Sequence, residues 1–344
     1  MDGRPARLER LRALMERRGL DAVVLRRPPN FAWFTGGADS RVDHLAAEGV
    51  ADAVLSLDQE WVLTSNIEAP RMRSEQTPDD EVIEYPWFED REAALRGLAG
   101  DMTLGADVPI SGTTDLSEDV ALLRRTLDPD AVESLRAVGD DATAAMRETA
   151  GAVERGMTEF DVAAILEAAC RRRGLSAPVL LAAADDRIRL HRHPVPVGAR
   201  IERRAMLVAS AERGGLYANL TEMVELDEPD PELARRQAAT EQILTRMREE
   251  ATRPGRTLAE AFQDCTGFYA DAGYPDEWKL HHQGGLTGYG SRELIATPAS
   301  HHVIAVGQAF AWNPSITGAK AEETFVLTES GPEVVAGAAR QAPS

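Results

Sequence analysis

The sequence predicts two globular domains, an α/β domain over residues 1–126 and an α+β domain over residues 127–335, with a short tail at 336–344. Three observations carry that expectation. The 344 residues are 43% hydrophobic, enough for two cores. Helical and strand patterns alternate through the first third, as an α/β layer requires. Near Leu123–Asp128 a long helical pattern opens, and strand candidates followed by two helices come after it.

Leu8, Leu11, Leu14 and Met15 share one face of an N-terminal helix that Gly19 ends. Asp21 leads into a strand at 22–25, and Pro28-Pro29-Asn30 breaks the chain. Strands at 53–57 and 61–64 flank Asp58-Gln59-Glu60 and read as a hairpin. Past the boundary, Val132, Leu135, Val138 and Ala142 face inward from a helix that Asp128 can cap with Pro129 at its first position. Thr158 caps the next helix, with Val162, Ile165 and Leu166 inward. Strand candidates at 177–181, 206–210 and 216–223 precede helices at 231–250 and 257–272. A further strand is expected at 303–306, after a solvated His301-His302 loop. The tail at 336–344 is small and polar and is expected to fray.

Net charge is −19, with both signs mixed along the chain. An acidic surface repels phosphate, so nucleic acid and anionic membranes are poor partners, and solubility accounts for the charge. No apolar run approaches the roughly 20 residues of a membrane span. Met1-Asp2-Gly3-Arg4-Pro5 lacks an apolar signal core, which makes the cytoplasm the expected location. Cys170 and Cys265 lie far apart and read as buried thiols.

Chemistry-bearing residues concentrate in the second domain. Alternation along 216–224 puts Tyr217, Asn219 and Thr221 on one face and Glu222 on the other. An asparagine both donates and accepts, so Asn219 and Asn313 suit an amide, guanidino or carboxyl group; alternatively they bond each other. His193 and His282 offer imidazoles that cycle between acid and base near neutral pH. The Tyr289 phenol can donate to a developing oxyanion. Arg292 can grip a carboxylate, or can pair with Glu293 at the surface.

Three segments, Gly215–Thr221, His281–Leu286 and Trp312-Asn313-Pro314 with Lys320–Thr324, resemble in order and spacing the peptidase M24 superfamily. That is the pita-bread fold of methionine aminopeptidase, prolidase, aminopeptidase P and creatinase. Gly19-Leu20-Asp21-Ala22 and the run Asn30–Gly36 resemble the creatinase/prolidase N-terminal domain. The resemblance implies a homodimer in which Arg41 or His44 could reach the partner's site. Members that use two metals carry Asp, Asp, His, Glu, Glu in these segments. Here Asn219 stands at the second Asp, Asn313 stands at the first Glu, and Val208-Ala209-Ser210 contains no acid. Only His282 and Glu322 match. Two divalent ions on that remnant would keep roughly three uncompensated charges, so no metal and no cofactor are expected. One ion on His282, Glu322 and Glu323 is the alternative.

Creatinase-like members transfer protons by a histidine without a metal, and His193 in the pattern His-x-x-Pro resembles theirs. The creatinase acids are not carried over, which leaves Glu322, with Glu222 or Glu212 as substitutes. The resemblance implies a metal-independent hydrolase of a C–N bond, amide or amidine, in a small polar substrate. His193 would be the base, His282 its partner, and Glu322 the group that orients a histidine. Tyr217, Asn219, Thr221, Tyr289, Arg292 and Asn313 would bind the substrate. The alternatives are a metal-dependent Xaa-Pro aminopeptidase or prolidase, a non-catalytic small-molecule-binding protein, and elimination or cyclisation chemistry in the same pocket.

Overall fold

The structure is a computed structural model that describes residues 3–228 and 230–340. The chain divides into two compact units, one of residues 1–125 and 129–131, the other of residues 126–128 and 132–344.

The first unit opens with α1 (Arg4–Arg18), whose buried Leu11, Leu14 and Met15 form its inner face and whose end is the left-handed Gly19. Strand β1 (Ala22–Leu25) follows, then α2 (Pro28–Thr35). The two prolines begin this helix rather than break the chain. Their missing N–H groups fall in the first turn, where no helical acceptor exists. The hairpin is β2 (Ala51–Ser56) with β3 (Glu60–Ser65), in antiparallel register. The short α3 (Ala69–Arg71), β4 (Glu81–Tyr85), α4 (Arg91–Ala99), β5 (Leu104–Ala106), β6 (Thr114–Asp115) and α5 (Ser117–Arg124) complete the unit. Its sheet runs β4-β3-β2-β1-β5-β6. Val24, Val54, Leu63, Leu95 and Ala106 pack in its core.

The second unit carries most of α6 (Pro129–Ala152), then α7 (Glu159–Arg172), whose cap is a reciprocal pair between Thr158 and Asp161. Strand β7 (Ser176–Ala184), the short α8 (Asp186–Leu190), β8 (Arg204–Arg213) and β9 (Leu216–Glu225) come next, and β7-β8-β9 form an antiparallel sheet. Helix α9 (Pro231–Arg246) stops before 250 because Met247–Ala251 widens into a π turn that Thr252 closes onto the Met247 carbonyl. Thr257 and Glu260 cap α10 (Leu258–Asp271). The remaining strands are β10 (Gly284–Thr287), β11 (Leu294–Ile295), β12 (Ala309–Trp312), β13 (Ser315–Ile316), β14 (Ala319–Lys320), β15 (Glu323–Thr328) and β16 (Gly331–Ala336).

A second antiparallel sheet of this unit runs β11-β10-β12-β15-β16, and β13-β14 is a separate hairpin. The expected strand at 303–306 does not form. Val303 makes one bridge to Thr257, and the Ile304 N–H goes to the Arg256 carbonyl instead of a strand partner. The expected tail is anchored through 340. Ala336 is a buried β16 residue, and Arg340 donates to Asp140 at 2.7 Å. Residues 341–344 of that tail lie outside the described residues, as do Met1, Asp2 and Pro229. Cys170 and Cys265 are both buried free thiols. Among the described residues, no helix is long and apolar enough to cross a membrane.

Candidate active site

The site forms where the two antiparallel sheets of the second unit meet. Thr221 of β9 bridges Glu322, just before β15, and its N–H donates to the Glu322 carbonyl. Asn219 donates its N–H to Thr324 Oγ1, and that hydroxyl returns a bond to the Asn219 carbonyl. These bonds lock β9 against β15, so the residues singled out by sequence are brought to one place.

Gly284 sets the position of His282. Its φ is +90°, and a Cβ there would lie 2.1 Å from the Ala311 carbonyl oxygen of β12. Only glycine permits this approach, which fixes where His281 and His282 enter the site.

A cavity of about 300 Å³ lies here, walled by His193, Ser210, His282, Ser291, Arg292, Asn313, Lys320 and Glu322, with Val179, Leu181 and Val208 as its apolar side. His193 and His281 face each other, Nε2 to Nε2, at 2.9 Å. His282 stacks on His281 with ring centroids 4.4 Å apart. The Gly284 N–H donates to His282 Nδ1 at 3.3 Å, so the neutral ring carries its proton on Nε2.

Burial and the nearby Lys320 cation push His193 below its usual value. The same two causes take His281 to about 2. Burial and Arg292 hold His282 at about 4. All three imidazoles are therefore neutral at pH 7. Burial would raise Glu322, but Lys320 and Arg292 outweigh it and hold the carboxyl at about 2.

Glu322 does not orient a histidine. Its Oε1 accepts from Arg292 Nη2 at 2.6 Å, and its Oε2 accepts from Thr221 Oγ1 at 2.9 Å and faces Lys320 Nζ at 3.4 Å. Two cations and a hydroxyl occupy the carboxylate. Arg292 thus pairs with Glu322 and not with Glu293. Glu323 points the other way, to Arg248, as alternation along β15 requires.

Four residues expected to bind substrate are not on the cavity wall. Asn219 is 0% exposed. It accepts from Ser210 Oγ at 2.6 Å and donates to Thr287 Oγ1 at 3.1 Å, behind the wall. Thr221 sits behind Glu322. Tyr289 is buried in the turn after β10, and Tyr217 lies two residues along β9 from Asn219. The asparagines do not bond each other, and Asn313 Oδ1 is buried without a partner. Glu212 accepts from Ser176 Oγ and the Gly215 N–H, so it holds the β8–β9 turn.

Sequence reasoning missed His281, Ser210 and Lys320. The signal for Lys320 was present, since Lys279 and Lys320 are the only lysines among 38 basic residues. Ser210 could have been found by register, because it stands directly across from Asn219.

A two-metal centre does not fit this donor set. Ser210, Asn219 and Asn313 are neutral, Ser210 and Asn219 satisfy each other, and the one acid is bound by two cations. A larger groove of about 540 Å³ lies elsewhere, between Asp185, Arg204, Glu225, Glu232 and Arg236. Charges there pair with one another, as in Arg204–Glu225 and Arg236–Glu232 at 3.0 Å each.

Residues 133–329 match metallopeptidase family M24, and residues 7–138 match the creatinase/prolidase N-terminal domain. Among solved structures, the prolidase from Pyrococcus horikoshii OT3 superimposes with a TM-score of 0.81 at 17% identity, over 98% of this chain and 100% of that one. The X-Pro aminopeptidase from Thermotoga maritima MSB8 gives 0.78 at 20% identity, over 96% and 97%. Aminopeptidase P from E. coli gives 0.76 at 13% identity, over 97% and 95%. At these identities the likeness is one of fold, a creatinase-type N-terminal domain joined to a pita-bread domain. No curated protein matches the chain. The M24 match spans more than half of the 344 residues, and the chain belongs to metallopeptidase family M24.

Proposed function

We propose that this member of the M24 family is a metal-independent, creatinase-like hydrolase that cleaves a C–N bond, amide or amidine, of a small polar substrate. The observation that carries this reading is the His193–His281 pair, joined at 2.9 Å beside a cavity whose one carboxylate is held by cations. Neutral His193 is the base. It takes a proton from water at Nδ1 as the water attacks the substrate carbon, while its Nε2–H is given to His281 Nε2. The His281 ring accepts that Nε2–H and holds His193 in the tautomer whose Nδ1 can accept. The proton taken from water then passes to the leaving nitrogen as the C–N bond breaks. His282 presents Nε2–H as a donor to the substrate, and Arg292, Ser291 and Asn313 are the wall groups that orient it.

Chelator-treated protein screened against small amides and guanidino compounds tests the reading. Turnover that survives His193→Ala would remove His193 as the base. A ligand that stabilises the fold and is recovered unchanged would make the protein a binding protein, and a product other than hydrolysis would place elimination or cyclisation in this cavity.

A second reading rests on one observation. The ligand atoms of His193, His281 and His282 all lie within 4.8 Å of one another, which could hold a single ion and support Xaa-Pro peptidase activity. Two things oppose it. His282 Nδ1 accepts from Gly284, whereas a metal-bound imidazole donates from its other nitrogen. Lys320 and Arg292 also repel a cation. Elemental analysis of protein purified without chelator decides between the two. A homodimer in the cytoplasm belongs to the proposed reading, and light scattering checks the dimer.

A further inference from the structure

We infer that Lys320 is the resident cation of this site and the group on which the substrate's carbonyl oxygen rests. The catalytic half of the inference depends on the hydrolase reading above, whereas the binding half does not.

Lys320 ends β14 with its side chain 4% exposed, yet the residue lines the cavity. An ammonium has three donors. The acceptor facing this one is Glu322 Oε2 at 3.4 Å, which is long for a charged hydrogen bond. A buried charge so poorly satisfied is costly unless something else meets it. The cavity is where that acceptor can come from.

The choice of residue points the same way. Of the 38 basic residues only Lys279 and Lys320 are lysine. Lys279 is exposed beside Asp276. At 320, an arginine fork would engage Glu322 bidentately and commit its donors to that carboxylate. The compact ammonium pairs with Glu322 and still presents N–H groups to the cavity.

Charge completes the case. Arg292 and Lys320 against Glu322 leave one positive charge among neutral imidazoles. Such a site favours one negative charge on a bound oxygen. As water adds to an amide carbon, the C=O π electrons move to oxygen, and the resulting O⁻ lies on Lys320. Collapse restores C=O, breaks the C–N bond and sends the proton on His193 to the leaving nitrogen. The products are a carboxylic acid and an amine, with one water consumed.

The test uses the full chain, chelator-treated and labelled with ε-13C lysine, which gives only two side-chain signals. A pH titration is recorded with and without sodium acetate as the oxyanion probe. Acetate is expected to shift the Lys320 signal and move its titration to higher pH, while Lys279 stays unchanged. A Lys320 signal unmoved by acetate, or one that moves no more than Lys279, overturns the inference. Lys320→Met should weaken acetate binding about tenfold or more. With an amide substrate it should lower kcat about a hundredfold or more, and Lys320→Arg should not restore it. If no amide is turned over, the acetate response alone still decides the binding half. If amides are turned over while Lys320 ignores acetate and Lys320→Met remains active, the inference fails and the hydrolase reading stands.

Discussion

Lys320 Nζ lies 3.4 Å from Glu322 Oε2, and both side chains are at most 4% exposed. With Arg292 on the other carboxylate oxygen, the three form a buried charge triad. The triad is held by β14, by the start of β15 and by the turn after β10, so its geometry is tied to the sheet that carries the histidines.

Glu322→Gln should cost about 3–5 kcal/mol of stability, because it leaves two buried cations without their counter-charge. Pairing it with Lys320→Met should recover part of that loss, since one uncompensated charge is removed with it. Urea unfolding of the single and double variants checks this. A loss in the double variant equal to the sum of the two single losses would show that the pair is not coupled.

His193→Gln should fold normally and lose about 10²–10⁴-fold in kcat, the usual worth of a general base. His281→Phe should cost less, because His281 orients the base and does not itself take the proton. Steady-state kinetics on any substrate found in the screen gives the ranking.

The pH–rate profile should be bell-shaped. The acid limb reports protonation of His193, whose burial beside Lys320 places it below the ordinary 6.5. The alkaline limb reports loss of the Lys320 proton, which burial brings below the ordinary 10.5. Lys320→Met should abolish the alkaline limb and move the acid limb to higher pH, because the cation that lowers His193 is gone.

The buried histidines should make stability fall on the acid side of neutrality. In the native state His281 and His282 titrate near 2 and 4, against 6.5 when unfolded. Between 6.5 and about 4 the unfolded chain therefore binds more protons, and stability present above that window is lost as pH falls through it. Glu322, depressed to about 2, adds a further loss below 4.5. Urea midpoints at about pH 5 and about pH 7.5 measure the slope. His281→Phe should flatten it.

Much of the architecture was legible along the chain. The 3.6-residue pattern of Leu11, Leu14 and Met15, the Thr158 cap and the 53–64 hairpin depend on neighbours within a few residues, and they form as expected. The misses have local causes of another kind. Pro28-Pro29 start a helix as readily as they stop one, and 303–306 has strand composition but its N–H groups find partners elsewhere.

The site divides the same way. By itself the sequence determined the family segments and the residue types that stand in them, neutral at 208–210, 219 and 313, and the candidacy of His193 and His282, because these are matters of identity and order. Only the tertiary structure decided that Asn219 and Thr221 stand behind the wall, that His281 meets His193, and that Glu322 serves Lys320 and Arg292 rather than a histidine. Those relationships cross as many as 101 residues of sequence, as in Thr221–Glu322, or join near neighbours in chain order, as in Lys320–Glu322. Which partner a buried charge takes depends on the distances and dielectric that packing creates, and no spacing along a chain contains those.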